Sequence, residues 1–263
     1  MRFHRIYAIV LRHLYLHRRS VARLMEIFYW PLLDLLVWGF ITVYLQRYRE
    51  GLPGFVTFFI GALILWDMLF RSQQGISLSF LEEMWSRNLM NLFVTPLRPA
   101  EFISATMIIS IFKLISASVV TVSLAYLIYS FNLFVIGISL LPFIISLTIM
   151  GWSIGILTTS LILRYGQKAE VLAWGLAFMF QPISAVFYPV NVLPDFMQGI
   201  AKFVPASHVF EGMREVIANG RFPVEQLIWA AGLDIVYLIV SIFIFYYMFR
   251  SVKARGLLLH IGE

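Results

Sequence analysis

The sequence predicts an all-α integral membrane protein with six transmembrane helices, and three observations lead there. The chain is 60% hydrophobic and only 13% charged, with a mean hydropathy of +0.85, well outside the range of water-soluble domains. Six apolar stretches recur along it, at about 27–45, 55–80, 102–129, 134–163, 170–188 and 226–249. Each approaches or exceeds the roughly 20 residues that cross about 30 Å of hydrocarbon. The basic residues alternate between the segments that join these stretches, as they do in multi-pass proteins. The +6 net charge therefore reads as membrane orientation, not as a nucleic-acid surface. The absence of cysteine excludes disulfides and thiolate metal sites in this sequence.

Residues 1–25 predict a helix lying in the membrane plane. Phe3, Ile6, Val10, Leu14, Val21 and Leu24 share one helical face, while Arg2, Arg5, Arg12, Arg19 and Arg23 occupy the others. His13 and His17 stand four apart, a metal-binding spacing. With no carboxylate near in sequence, they read instead as part of the cationic face. The apolar run that follows is too long for a signal h-region and has no small-x-small cleavage site after it, so it reads as a first true span.

Orientation follows from counting Lys and Arg. With the N-terminus inside, 14 of the 20 fall on the cytoplasmic side, including Arg71, Arg87, Arg98, Arg164, Lys168 and Arg250. Five fall outside, namely Arg47, Arg49, Lys202, Arg214 and Arg221, and Lys113 lies within a span. Both termini are accordingly expected in the cytoplasm.

Asp34, Asp67, Lys113 and Asp234 lie near the middle of their spans. An unpaired ion at mid-depth costs at least roughly 3 kcal/mol on insertion scales, so partners are expected, and Asp67 with Lys113 is the predicted pair. Two aromatic stripes stand out, which could serve packing, lipid contact or a polar-lined face. Trp30, Asp34 and Trp38 recur every four residues in the first span, and Trp174, Phe178, Gln181 and Tyr188 share a face of the fifth. Rings with an apolar face and a polar edge suit amphipathic molecules.

Between the second and third spans lies Glu82 to Glu101, the one long charge-bearing insert. Trp85, Leu89, Leu92 and Phe93 recur at helical spacing, and Pro96 and Pro99 stop the helix for want of an amide donor. In the fourth stretch Pro142 predicts a kink. Gly151 and Gly155 form a small-xxx-small pair for close packing. The string Gly151-Trp152-Ser153-Ile154-Gly155 also spells G-x-S-x-G, but it sits mid-span without a histidine, which argues against a hydrolase. Before the last span, Pro189 to Glu225 is too apolar for a free loop. Asp195 and Ser207 predict N-caps and Asn219-Gly220 a stop, giving helices of about 195–203 and 207–218. Met197, Ile200, Phe203, Phe210, Met213 and Ile217 would each need burial, so the pair is expected to dip back into the outer leaflet.

The segment from Arg87 through Thr95-Pro96-Leu97 to Pro99 resembles the cytoplasmic coupling helix of the type-2 ATP-binding-cassette exporter permeases. The outer segment resembles that family's re-entrant pair, with Pro205, Glu211 and Arg214 in its P-x5-E-x2-R pattern. The resemblance implies one permease domain over residues 1–263, with an interfacial helix at 1–25, a coupling segment at 82–99 and a re-entrant segment at 189–225. It implies ATPase coupling through Trp85, Arg87, Leu89, Leu92, Thr95 and Pro96, and a pathway past Trp30, Asp34, Trp38, Trp174, Phe178 and Gln181. It further implies two permease copies with two ATPase subunits, export from the cytoplasm, membrane lipid as a partner, and a bacterial or archaeal inner membrane. No G-x-x-x-x-G-K-[ST] loop occurs in the sequence, so ATP and Mg are expected on the partner chain and no cofactor on this one. A secondary transporter would show an internal repeat and ion-coordinating acids in broken helices, and a channel one polar span; the sequence shows neither. Polysaccharide remains an alternative cargo to an amphipathic or lipid-like one.

Overall fold

The computed structural model describes residues 1–48 and 55–255; Arg49, counted above on the outer side, lies outside the described residues. Ten α-helices follow in order: α1 (Phe3–Arg18), α2 (Val21–Tyr48), α3 (Phe55–Trp85), α4 (Leu89–Val94), α5 (Pro99–Tyr129), α6 (Leu140–Tyr165), α7 (Leu172–Ile183), α8 (Asp195–Ala201), α9 (Pro205–Asn219) and α10 (Val224–Ala254). No strand occurs among the described residues. Among the described residues, four segments are long and apolar enough to cross a membrane: Arg23–Leu45 in α2, α5, Gly137–Ala169 around α6, and α10. The architecture is an integral-membrane helical bundle.

The bundle is built on α3. Its 31 residues reach about 46 Å, and nearly every side chain from Ile60 to Leu81 is buried beneath α2, α5 and α6. Small residues permit that approach. A Cβ added to Gly151 would stand 2.5 Å from the Leu69 carbonyl oxygen, and one added to Gly155 2.8 Å from that of Gln73. The predicted small-xxx-small pair thus seats α6 directly on the α3 backbone. On the other side, Gly75 meets Ser110 of α5, whose hydroxyl accepts a 2.6 Å bond from the Trp152 indole. Ser153 donates to the Ile149 carbonyl one turn back, as an intramembrane serine does, which removes it as a nucleophile.

Several expectations are corrected. The fifth apolar stretch forms only the 12-residue α7, about 18 Å long; a 3-10 turn over Gly166–Ala169 precedes it, and the chain leaves it where Ala185 turns left-handed at φ 50°. Pro142 falls in the first turn of α6, where a missing amide costs nothing, so no mid-helix kink results. The outer helices start at Asp195 and Pro205, with Pro194 and Val204 at the N-cap positions and no side-chain cap; Ser207 instead donates to the Val204 carbonyl at 2.8 Å. Gly220 ends α9 in the left-handed region at φ 65°, as its position after Asn219 predicts. Phe210 and Met213 are buried against α6 and α10, whereas Ile200 of α8 and Phe203 in the turn after it remain exposed.

Candidate functional site

Two sites emerge, one midway along α3 and one at its Trp85 end. The first is a cavity of about 390 Å³ between α2, α3, α5 and α7. Asp34 and Trp38 enter it from one face of α2, Trp66, Asp67 and Phe70 from α3, and Phe178 and Gln181 from α7, with Phe187 and Tyr188 from the turn that follows. Four of the six predicted pathway residues therefore share one space. The other two lie elsewhere: Trp30 packs edge-on against Tyr29, and Trp174 stacks on Trp85 at 6.3 Å.

The walls are rings. Trp38 stacks on Phe187 with centroids 6.2 Å apart, Phe187 on Phe59 at 4.7 Å, and Phe178 lies against Phe70 at 4.8 Å. Arg214 of α9 holds the turn bearing Phe187 and Tyr188. Its guanidinium donates to the carbonyls of Ala185, Val186 and Tyr188, pairs with Glu211 at 3.1 Å, and lies 4.6 Å over the Phe58 ring. Glu211 in turn accepts from the Val190 amide at 2.7 Å. The three-residue pattern Pro205, Glu211 and Arg214 thus has a physical content: Pro205 opens α9, and the other two shape a cavity wall.

The predicted Asp67–Lys113 pair is replaced by another. Asp67 accepts from Arg71, one turn along α3, at 3.1 Å, and Arg71 also donates to Gln74 at 3.3 Å. Register explains it. Gly75 lies level with Ser110 on the antiparallel α5, which puts Lys113 near residue 72 and leaves Asp67 about 7 Å further on. Lys113 instead borders a pocket with His17, Arg23 and Arg71. Arg71 is itself buried among these helices. Asp234 takes a third course, buried against α6 and accepting from Ser146 at 2.6 Å.

At the Trp85 end, α3 stops in a Schellman turn. The Asn88 amide donates to the Glu83 carbonyl and the Arg87 amide to that of Met84, both at 2.9 Å, with Arg87 left-handed at φ 52°. The six-residue α4 follows. Leu89 is only 4% exposed and belongs to this chain's own core, with Leu92 packed half-buried beside it. Trp85, Arg87, Asn91, Val94, Thr95, Pro96 and Arg98 face outward. Of the predicted coupling residues, Leu89 is thus an anchor for the segment, while Trp85, Arg87, Thr95 and Pro96 present its surface.

Helix α1 is strapped to this turn. Buried Glu83 accepts from Arg12 and, at 2.7 Å, from Asn88. Buried Glu101 accepts from the amides of Arg98 at 2.9 Å and Arg2 at 2.7 Å and pairs with Arg5, which also donates to the Pro96 carbonyl. His13, expected on an exposed cationic face, is fully buried between Glu82 and Glu83 at 3.9 and 3.4 Å. Burial, with Lys113 and Arg12 adding repulsion, pushes its pKa down to about 3, so the imidazole is neutral at pH 7. Burial likewise lowers His17 to about 4; its ring bonds the His13 carbonyl at 2.8 Å. The buried stripe of α1 is Ile6, Ile9, Val10 and His13, so Phe3 and Leu14 face outward and the helix turns further toward the protein than its hydrophobic pattern predicts. The clue in the sequence was Glu82-Glu83 itself, two acids matched to the α1 cations.

The ABC-2 type transporter family matches residues 8–218. ABC transporter G family member 20 of Dictyostelium discoideum is 31% identical over 128 residues, 48% of this chain and 17% of that protein. The linearmycin resistance permease protein LnrN of Bacillus subtilis (strain 168) is 38% identical over 53 residues, 19% of this chain and 14% of that protein. The matched stretches cover less than a fifth of the length of either relative.

Proposed function

This chain belongs to the ABC-2 type transporter family, and from that premise we propose that it is the transmembrane subunit of an ATP-driven exporter of amphipathic cargo, powered by a separate ATPase. The observation that carries the reading is the cavity, where Asp34, Trp38, Phe178 and Gln181 converge with α3 residues that also reach the opposite end of the molecule.

Mechanical coupling follows from α3. Asp67 and Trp85 lie 18 residues apart on one unbroken helix, about 27 Å. A partner bearing on Trp85, Arg87, Asn91 and Val94 displaces α4, and the bonds through Glu83 and Asn88 pass that displacement to α3. Glu101 and Arg5 pass it to α5 and α1. Because Gly75, Gly151 and Gly155 leave no slack along α3, the helix moves as a rod and carries Asp67 and Phe70 with it. The Trp85 end then faces the cytoplasm, with both termini on that side. The short α7, continued by the Arg214-held turn, and the buried α9 complete the six-crossing arrangement with its re-entrant pair. Two permease copies and two ATPase subunits, the latter holding ATP and Mg, make the working unit in a bacterial or archaeal inner membrane, with lipid around α5 and α10. The linearmycin resistance named for the Bacillus relative is in keeping with drug-like cargo.

The test is affinity capture of the tagged chain from its native membranes. Recovery of a P-loop ATPase is expected, with capture lost in Val94→Asp, whose side chain is 80% exposed. A chain that transports without any ATPase, or captures it equally well as Val94→Asp and as Trp85→Ala, overturns the reading.

A further inference from the structure

We infer that the cavity receives a cationic amphiphile, a protonated amine or quaternary ammonium carried on an apolar body. This deepens the export reading and rests on it. Charge comes first. Asp34 and Asp67 both line the space, and no Lys, Arg or His occurs among the described lining residues. The neighbouring Arg71 pairs with Asp67 at 3.1 Å, so two carboxylates and one guanidinium leave a formal charge of −1. A carboxylate midway along a membrane span is costly to leave unmatched. Asp34 is exposed on α2, turned to the same space as the rings.

The rings supply the second half of the recognition. Trp38 stands one turn from Asp34 on the same helix face and stacks on Phe187, while Phe178 and Phe70 form another ring pair in the lining. Tyr188 donates its hydroxyl to the Pro182 carbonyl at 2.8 Å, which commits its polar edge and leaves its ring to the cavity. Indole and phenyl faces attract onium ions, more strongly once water is displaced. An anion of the same shape would meet the rings equally and be repelled by Asp34. A neutral sugar would use the ring faces and leave the charge unanswered.

The probe is radiolabelled tetraphenylphosphonium, with tetraphenylborate as an anion of matching shape, bound to the full chain in phosphatidylglycerol nanodiscs. Asp34→Asn should weaken the cation at least about fivefold, Trp38→Leu should also weaken it, and Asp34→Glu should restore it to within about twofold. The borate should bind Asp34→Asn at least as well as the parent. Unchanged melting and elution of Asp34→Asn establish that the chain still folds. Repeating the titration in phosphatidylcholine discs separates the sources: loss of cation binding there, dependent on Asp34, identifies a choline headgroup as occupant, and no loss identifies a free amphiphile. Equal phosphonium binding by parent and Asp34→Asn overturns the inference, as does an Asp34→Asn chain that changes only its oligomeric state, which would place the carboxylate between copies. ATP-driven transport of a neutral amphiphile, unaltered by Asp34→Asn, would sink the cationic assignment and leave the export route standing. If no amphiphile of any charge binds the cavity, the route itself falls.

Discussion

Replacing Gly151 by Ala should unseat α6 from α3. The new Cβ would stand 2.5 Å from the Leu69 carbonyl oxygen and 2.7 Å from the Ser72 Cβ, where ordinary contacts begin at 3.4 Å. Neither neighbour can rotate away, since one is backbone and the other is fixed to it. Relief requires the helices to part by about 0.9 Å, and a gap of that size forfeits a quarter to a half of each contact's dispersion energy along the interface. A cost of roughly 1–3 kcal/mol follows. Gly232 on α10 is the control, for nothing lies within 4 Å of a Cβ there. Gly232→Ala should be neutral or gain up to about 1 kcal/mol from helix propensity. Unfolding titrations in mixed micelles with rising sodium dodecyl sulfate measure both. Equal midpoints for the two variants would refute the packing assigned to α3 and α6.

Glu101→Ala leaves the Arg2 and Arg98 amides without their acceptor and should cost on the order of 1–3 kcal/mol, seen as faster tryptic cleavage within α1; unaltered cleavage would mean that the strap does not hold the helix. His13 has a depressed folded pKa, so the unfolded chain binds the extra proton below its ordinary value of 6.5; stability should fall as pH drops from 6.5 toward about 3, and His13→Gln should flatten that slope in pH-dependent melting. Arg87→Gly relieves left-handed strain of about 1 kcal/mol, so it should melt no lower than the parent while binding the ATPase several-fold more weakly; a lower melting point would show that Arg87 serves the turn alone.

The recurrence of Trp, Asp and Trp every four residues in α2 and of Phe178 and Gln181 in α7 was enough to find the cavity, because helical period fixes which side chains share a face. The same period misplaced Trp30 and Trp174. Both stripes run past the cavity's ends, and sequence period gives a face without giving depth. Depth between helices is also why Lys113 was matched with Asp67: the contact of Gly75 with Ser110 sets that register, and no pattern within either helix contains it. Arg71, one turn from Asp67, is the nearer partner in sequence, although the charge count places it with the cytoplasmic segment. Leu89 and Leu92 read as a partner-facing stripe because an amphipathic six-residue helix has one apolar side, and the sequence does not say that this side is already covered by its own core.

The most direct test of the account uses the fact that the chain contains no cysteine. Single cysteines at Trp38, Phe178 and Gln181, in chain assembled with its ATPase in sealed vesicles, are probed with a membrane-impermeant thiol reagent during turnover. The account predicts labelling at all three positions, dependent on ATP and blocked by a transported amphiphile, while a cysteine at Trp30, outside the cavity, gains no protection. Inertness of all three in every nucleotide state, or identical behaviour at Trp30, would contradict it.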